Sequence, residues 1–116
     1  MKDLLEFLDK YNIEYTVDGD SVIAGDVYLE NRGITKLPES IGNLKCRHLY
    51  LQYNKLTSLP ESIGNLKCKY LDISNNQLTS LPDSIGNLKC EYLYLQYNKL
   101  TSLPESLGGV VARKTI

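Results

Sequence analysis

A block of 22 residues recurs three times in succession between Leu37 and Ser102. The copies read LPESIGNLKCRHLYLQYNKLTS, LPESIGNLKCKYLDISNNQLTS and LPDSIGNLKCEYLYLQYNKLTS, at residues 37–58, 59–80 and 81–102. A constant period of this length predicts a stacked solenoid, because one copy cannot bury its apolar side without a neighbour. Solenoids usually present a binding surface and not a reaction centre.

The size and charge of the chain restrict what it can bind. Its 116 residues predict one domain with a thin, continuous core. Thirteen basic and fourteen acidic side chains nearly cancel, so we expect neither nucleic acid nor an anionic membrane as a partner. The acidic residues in the N-terminal apolar stretch argue against a signal peptide. Three cysteines, an odd number, argue against a disulfide framework, and we expect a cytoplasmic protein unless it is exported by another route.

The segment before the repeats predicts a short amphipathic helix. Over residues 3–11 the apolar side chains fall at helical spacing. Asp3 followed by Glu6 has the spacing of a capping box, with Asp in place of the usual Ser or Thr. We therefore expect the helix to start at this pair.

A hairpin is predicted next. Two strand-like runs, 13–17 and 21–23, flank Asp18-Gly19-Asp20, and Asp-Gly suits the positive φ angles of a tight turn. We expect helix and hairpin together, residues 1–23, to cover the open apolar end of the first coil.

The repeat extends beyond its three obvious copies. A shift of 22 residues aligns Val27-Tyr28-Leu29 with Leu49-Tyr50-Leu51, so a diverged copy precedes the others. A further copy begins after Ser102 and decays, with Thr115 at the first strand leucine position. We predict a solenoid over residues 24–108 and a tail without a clear cap over residues 109–116.

Each coil has one arm that predicts a strand. Leu49 and Leu51 alternate with Tyr50 and Gln52, the period of a strand with one buried face. Because each strand returns one coil later in the same direction, neighbouring strands must be parallel. The other arm contains Ile-Gly-Asn-Leu, which allows no more than a turn of α or 3₁₀ helix.

These residues carry a resemblance to a known family. Cys46-x-x-Leu49-x-Leu51-x-x-Asn54-x-Leu56, recurring at the constant period, resembles the core motif of leucine-rich repeats of bacterial or phage and plant-like type. The resemblance covers about residues 24–108 and implies an α/β solenoid, a horseshoe whose parallel sheet lines the concave side, where partners usually bind. It also implies that the motif asparagines, Asn54, Asn76 and Asn98, bond to backbone in the turn after each strand.

Two repeated columns are interpreted as structural. The motif asparagines form a ladder that satisfies backbone groups which the turn would otherwise bury. The three cysteines, Cys46, Cys68 and Cys90, serve as small apolar core residues. Parallel strands hold identical side chains side by side, whereas a zinc site needs ligands that converge tetrahedrally. We therefore predict no metal and no cofactor.

The outward-facing columns contain seven of the nine tyrosines. We predict concave-face anchors at Tyr28, Tyr50, Tyr70, Tyr92 and Tyr94, with His48 in the same columns and Tyr53 and Tyr97 at the rim. Tyrosine supplies stiff contact area with a polar tip and is enriched at binding hot spots. Two other readings stay open: tyrosines stack as neighbours on any exposed sheet, and near-identical copies, from recent duplication or consensus design, reproduce their surface residues automatically.

Catalytic residues are not predicted. His48 is the sole histidine, and no Ser or Cys lies in a recognisable nucleophile setting. Asp26 and Asp72 are interpreted as scattered acids on a solvated face, each offset by a neighbour. The glycines do not form a phosphate-binding loop.

The sequence thus favours a non-catalytic module that binds a protein or peptide through a tyrosine-rich concave face. One alternative is a structural scaffold or self-assembling unit, a homo-oligomer formed through the uncapped C-terminal coil. Its motivation is a set of apolar side chains expected to leave the core and strand edge of the last coil poorly covered: Leu103, Leu107, Val110 and Val111. A third is the recognition arm of a larger effector.

Overall fold

The computed structural model describes residues 1–107 and the backbone of a last strand at residues 114–115. The helix and the strands are α1 (Lys2–Lys10), β1 (Thr16–Asp18), β2 (Ser21–Ile23), β3 (Asp26–Tyr28), β4 (Leu44–Lys45), β5 (His48–Tyr50), β6 (Tyr70–Asp72), β7 (Tyr92–Tyr94) and β8 (Lys114–Thr115). Short 3₁₀ helices lie at Ile41–Asn43, Glu61–Asn65, Asp83–Asn87 and Glu105–Leu107.

The N-terminal helix packs on the first coil. Leu4 and Leu8, one turn apart, are fully buried in the common core. The capping-box prediction was wrong, because α1 begins at Lys2 and no side chain caps it. The Asp3 carboxylate instead accepts hydrogen bonds from the Ser40 hydroxyl and, at 3.2 Å, from the Ser40 backbone N–H. The carboxylate therefore ties the helix to the coil behind it.

The hairpin forms as predicted, but its first strand is later and shorter than residues 13–17. β1 and β2 pair antiparallel with Asp18 opposite Ser21, so the turn is Gly19-Asp20. Gly19 has φ 60°, which glycine adopts without steric cost. β2 also pairs in parallel with β4, which gives a second, three-stranded sheet in the order β1-β2-β4. Sequence analysis did not anticipate this sheet.

The main sheet has five parallel strands in the order β3-β5-β6-β7-β8. Its register follows the repeat, because Val27, Leu49, Leu71 and Leu93 are successive partners at 22-residue steps. All four side chains are buried. The α/β solenoid with a parallel sheet is therefore confirmed.

The 3₁₀ helices stack on the other side of the core, and glycine sets their spacing. A Cβ built on Gly64 would lie 2.3 Å from the carbonyl oxygen of Ser84. A serine in each helix also links successive coils: the hydroxyl of Ser62 donates to the Glu39 carbonyl at 2.5 Å, and that of Ser84 to the Glu61 carbonyl at 2.6 Å. These contacts hold the coils at a separation that leaves no room for a side chain at the glycine.

The C-terminal end differs from the expected uncovered strand edge. β8 pairs in parallel with β7, and Thr115 lies opposite Leu93, at the leucine position of the repeat. Leu107 is buried, whereas 49% of Leu103 is exposed. Val110 and Val111, and most of the predicted tail, lie outside the described residues. The edge of β7 is thus covered by the chain itself.

Candidate functional site

The outward side of the main sheet carries a group of aromatic rings, here called the tyrosine face. Its members are Tyr28, His48, Tyr50, Tyr70, Tyr92 and Tyr94. Each lies one position from a buried leucine or valine of its strand, so its side chain projects away from the core. The parallel register then places the rings of successive coils side by side.

The rings form one connected cluster with Tyr70 at its centre. The Tyr70 ring lies 4.9 Å from that of Tyr94, 5.7 Å from those of Tyr50 and Tyr92, and 5.3 Å from His48, measured between centroids. The His48 contact is edge to face, at 81° between planes. Edge and offset contacts of this kind are favourable. The cluster is therefore held in place before any partner arrives.

The cluster is accessible at both ends. Tyr28, on β3, is 52% exposed, and Tyr92, on β7, is 38% exposed. Tyr50, Tyr70 and Tyr94 are half-buried by their neighbours. A large apolar surface with several phenol hydroxyls thus faces outward.

Two phenols of the cluster, those of Tyr50 and Tyr70, are held neutral. A hydrogen bond between the hydroxyls of Tyr70 and Tyr94, together with burial, raises the pKa of Tyr70. Burial also raises the pKa of Tyr50, with smaller contributions from Tyr28 and from nearby carboxylates. These hydroxyls therefore serve as hydrogen-bonding groups and not as bases.

The two acids expected to be scattered both lie near Tyr50, on the strands either side of it. Asp26 is paired with Nδ1 of His48 at 2.9 Å. One oxygen of Asp72 accepts from the backbone N–H of Ser74 at 3.0 Å and from the Ser74 hydroxyl at 2.6 Å. Ser74 itself is buried, and this hydrogen bond satisfies its hydroxyl. The Asp72 carboxylate is therefore fixed in orientation.

The predicted rim tyrosines stand on unusual backbone. Asn31, Tyr53, Asn75 and Tyr97 occupy the same position of successive coils, with φ angles of 55°, 59°, 54° and 60°. Asparagine tolerates this left-handed conformation, whereas a bulky residue is strained in it. Tyr53 and Tyr97 are 62% and 76% exposed. Their rings project beyond the connected cluster.

Two glutamine side chains at the ends of the strand arms have an acceptor oxygen without a hydrogen-bond donor. The side-chain Oε1 atoms of Gln52 and Gln96 are buried and have no hydrogen-bond partner among the described residues. Buried polar atoms are usually paired.

The motif asparagines lie beneath the turns. Oδ1 of Asn54 accepts from the backbone N–H groups of Arg32 and Ile34, both at 3.0 Å, and its Nδ2 donates to the carbonyls of Leu29 and Leu51, both at 2.9 Å. Asn76 and Asn98 repeat this pattern one and two coils later. Each amide therefore joins its own coil to the preceding one.

The cysteine column lies against the core. Cys68 and Cys90 are buried and Cys46 is half-buried. A hydrogen bond with Cys46, together with burial, raises the pKa of the Cys68 thiol, which keeps it protonated. Within residues 1–107 no group of three or more His, Cys, Asp or Glu side chains is placed to hold a metal ion.

A polar groove of about 840 Å³ lies on another side of the solenoid. It runs along the Gly-Asn segments of successive coils and is lined by a column of lysines, Lys45, Lys67 and Lys89. It contains no residue of the tyrosine face. Within the described part of the chain, no helix has the length and apolar character needed to cross a bilayer.

Comparison with known proteins agrees with this architecture. The sequence model described as "Leucine rich repeat" matches residues 47–100, and no curated protein sequence matches the chain. Among solved structures, the chain is similar to a leucine-rich repeat protein of Leptospira interrogans, with 40% identity and a TM-score of 0.61. The match covers 72% of this chain and 22% of that one, so the chain spans about a fifth of the length of this relative. The recurring motif, the parallel register that follows it and these two similarities show that the chain is a leucine-rich repeat protein.

Proposed function

We propose that this chain is a non-catalytic module that binds a protein or peptide segment through the tyrosine face. Leucine-rich repeats are generally protein-binding modules and typically carry no catalysis. The observation that supports this face is the connected, outward-facing cluster of aromatic rings centred on Tyr70. Such rings provide contact area at low entropic cost, because neighbouring rings already restrict them.

The dimensions of the sheet fit a small interface. Five strands about 4.8 Å apart give a surface roughly 20 Å across. This approaches the lower limit of a standard interface, about 800 Å² per partner. The exposed rings of Tyr53 and Tyr97 would extend the contact area beyond the strands.

The strained backbone under these two tyrosines also supports a binding role. A tyrosine in left-handed conformation destabilises the fold, and asparagine stands at the same position in alternate coils. Strained residues cluster at functional sites, where they are retained despite their cost. We therefore assign Tyr53 and Tyr97 to the rim of the binding surface.

The experiment that tests this proposal selects ligands on the intact protein. A random library of 12-residue peptides displayed on phage is panned on the immobilised chain, and the dissociation constants of enriched peptides are measured by fluorescence polarisation. The variant Tyr50→Ala/Tyr94→Ala should weaken binding at least tenfold. A matched control, Lys67→Ala/Lys89→Ala in the groove, should leave the affinity unchanged. Equal affinities for the wild type and the tyrosine variant would contradict the assignment.

Self-assembly is a second candidate, favoured by one observation at the C-terminal end. β8 is the edge strand of the main sheet, and nearby Leu103 is 49% exposed. A second copy could pair with that edge. Light scattering over a concentration series tests it, since a strict monomer at high concentration rules it out. In a longer protein, the tyrosine face would act as a recognition arm.

A further inference from the structure

We infer that the tyrosine face selects a basic peptide segment, whose arginine or lysine side chains are recognised by the carboxylates of Asp72 and Glu30. This rests on the proposed function of the same face and adds the chemical class of its partner. Three independent features of the surface support it: its charges, its hydrogen-bonding groups and its aromatic rings.

The charges next to the central rings are acidic. Asp72 on β6 is the register partner of Tyr50, and Glu30 follows by two residues Tyr28, the partner of Tyr50 on the other side. Both carboxylates help to raise the pKa of the Tyr50 hydroxyl. Asp26 is engaged separately, with its carboxylate 2.9 Å from Nδ1 of His48. Within the described residues, neither Glu30 nor Asp72 takes part in an ion pair. These two carboxylates are therefore available to a cationic partner.

The nearby cations form no ion pair with Glu30 or Asp72 among the described residues. The guanidinium of Arg32 lies over the ring of Tyr11 at 5.6 Å and donates a hydrogen bond to the carbonyl of Tyr28 at 3.4 Å. Lys69, which precedes β6, is 3.7 Å from the carboxylate of Glu91. Arg47 holds the equivalent place before β5. These basic side chains thus leave both carboxylates without a salt bridge.

The hydrogen-bonding groups of the face have acceptors to spare. Oε1 of Gln52 and of Gln96 lacks a donor within residues 1–107. At Asp72, Ser74 donates twice to Oδ1. Both glutamine oxygens are buried, so the acceptor that a partner can reach is Oδ2 of Asp72, to which no described residue donates. Arginine brings five N–H donors with no acceptor and can supply that bond.

The rings supply the third feature. A guanidinium or ammonium group is attracted to the face of a tyrosine ring, and arginine also stacks on it. Tyr28 and Tyr92 are the exposed tyrosines of the face and lie on either side of the Tyr50–Tyr70 pair. An acidic segment would instead meet carboxylates of like charge, which disfavours it.

The test uses the peptides enriched from the random 12-residue library. We expect them to carry more arginine and lysine than the unselected library. Replacing those cations by glutamine in synthetic peptides should weaken binding at least tenfold, and raising the salt from 50 to 500 mM should weaken binding of the basic peptides.

Variants of the protein then test which carboxylates recognise the cationic side chains of the peptide. Asp72→Asn should weaken binding of a basic peptide about fivefold or more, but should have little effect on binding of its glutamine analogue. This difference would show that Asp72 interacts directly with the cations of the peptide. Asp83→Asn, the same change on a 3₁₀ helix, should leave both affinities unchanged. Since Asp72 also holds Ser74, Glu30→Gln provides a second variant that removes a charge without that bond.

The outcomes separate the two proposals. Neutral or acidic peptides that bind tightly and depend on Tyr50 and Tyr94 would overturn the basic selection and leave the proposed function standing. Basic peptides whose affinity is indifferent to both Asp72→Asn and Glu30→Gln would also overturn it. A library with no enriched peptide, or with peptides indifferent to the tyrosines, would overturn both.

Discussion

Tyr28 and Tyr50 lie face to face on neighbouring parallel strands, with ring centroids 5.1 Å apart and ring planes 9° apart. Their residues are register partners, so the 22-residue repeat itself sets this spacing. The same repeat fixes the contacts of the core, the turns and the coil spacing. Substitutions in these columns therefore have separable effects on stability and on binding.

The close approach of the coils at glycine predicts a strong steric effect. Gly64→Ala should destabilise the fold by about 1–3 kcal/mol, because the added Cβ meets the Ser84 carbonyl and the backbone must shift. Gly25→Ala is the matched control, since a Cβ there has no atom within 4 Å. Urea denaturation measures both. A Gly64 variant as stable as the Gly25 variant would show that the coils can move apart freely.

The motif asparagines should differ in importance along the stack. Asn76→Ala leaves several buried backbone groups without partners, among them the N–H of Leu56, and should destabilise the fold by about 2 kcal/mol or more. Asn98→Ala should destabilise it less, because its surroundings are only partly buried. Asn87→Ala, an exposed side chain, serves as the control. If all three variants had the same urea denaturation midpoint, the motif asparagines would not stabilise the fold as described.

The left-handed tyrosines predict opposite effects on stability and binding. Tyr53→Asn should raise the free energy of unfolding by about 0.5–1 kcal/mol, because asparagine accepts φ near 59° more readily. It should also lower the affinity for selected peptides. The reverse change, Asn75→Tyr, should destabilise the fold. A variant that gains stability without losing affinity would remove Tyr53 from the binding surface.

The contact between helix and first coil predicts an acid-side loss of stability. Hydrogen bonds from Ser40 hold the pKa of Asp3 below its ordinary value of 3.8. Asp3 therefore stabilises the fold above about pH 3.8, and this contribution is lost as the pH falls through its lower folded-state pKa. The Tm difference between wild type and Asp3→Asn should be larger at pH 6 than at pH 2.5. For the control Asp83→Asn, the Tm difference from the wild type should not be larger at pH 6 than at pH 2.5.

The parallel sheet could be predicted from the sequence because two periods determine it. The 22-residue repeat gives the strand partners, and alternation around Leu49 and Leu51 gives the buried face. The sequence did not predict that β8 covers the edge of β7, because β8 lacks the leucines of the motif. Thr115 lies at the leucine position instead. The second sheet was missed because β4 is only two residues long and follows a 3₁₀ helix directly.

The candidate site was predictable in its membership but not in its chemistry. The tyrosine columns follow from the repeat, and the alternation of Asn31, Tyr53 and Asn75 was a usable signal for left-handed backbone. The grouping of acids around Tyr50 could not be read along the chain, because Asp26 and Asp72 lie on different strands and meet only through the fold. Binding by these residues and a cytoplasmic location stay predictions.

The most direct test of the central proposal compares affinity and stability in one variant. Tyr50→Ala/Tyr94→Ala should weaken the binding of selected peptides at least tenfold, while Tm stays within a few degrees of the wild type because both rings lie outside the leucine core. Unchanged affinity in a folded variant would contradict the account.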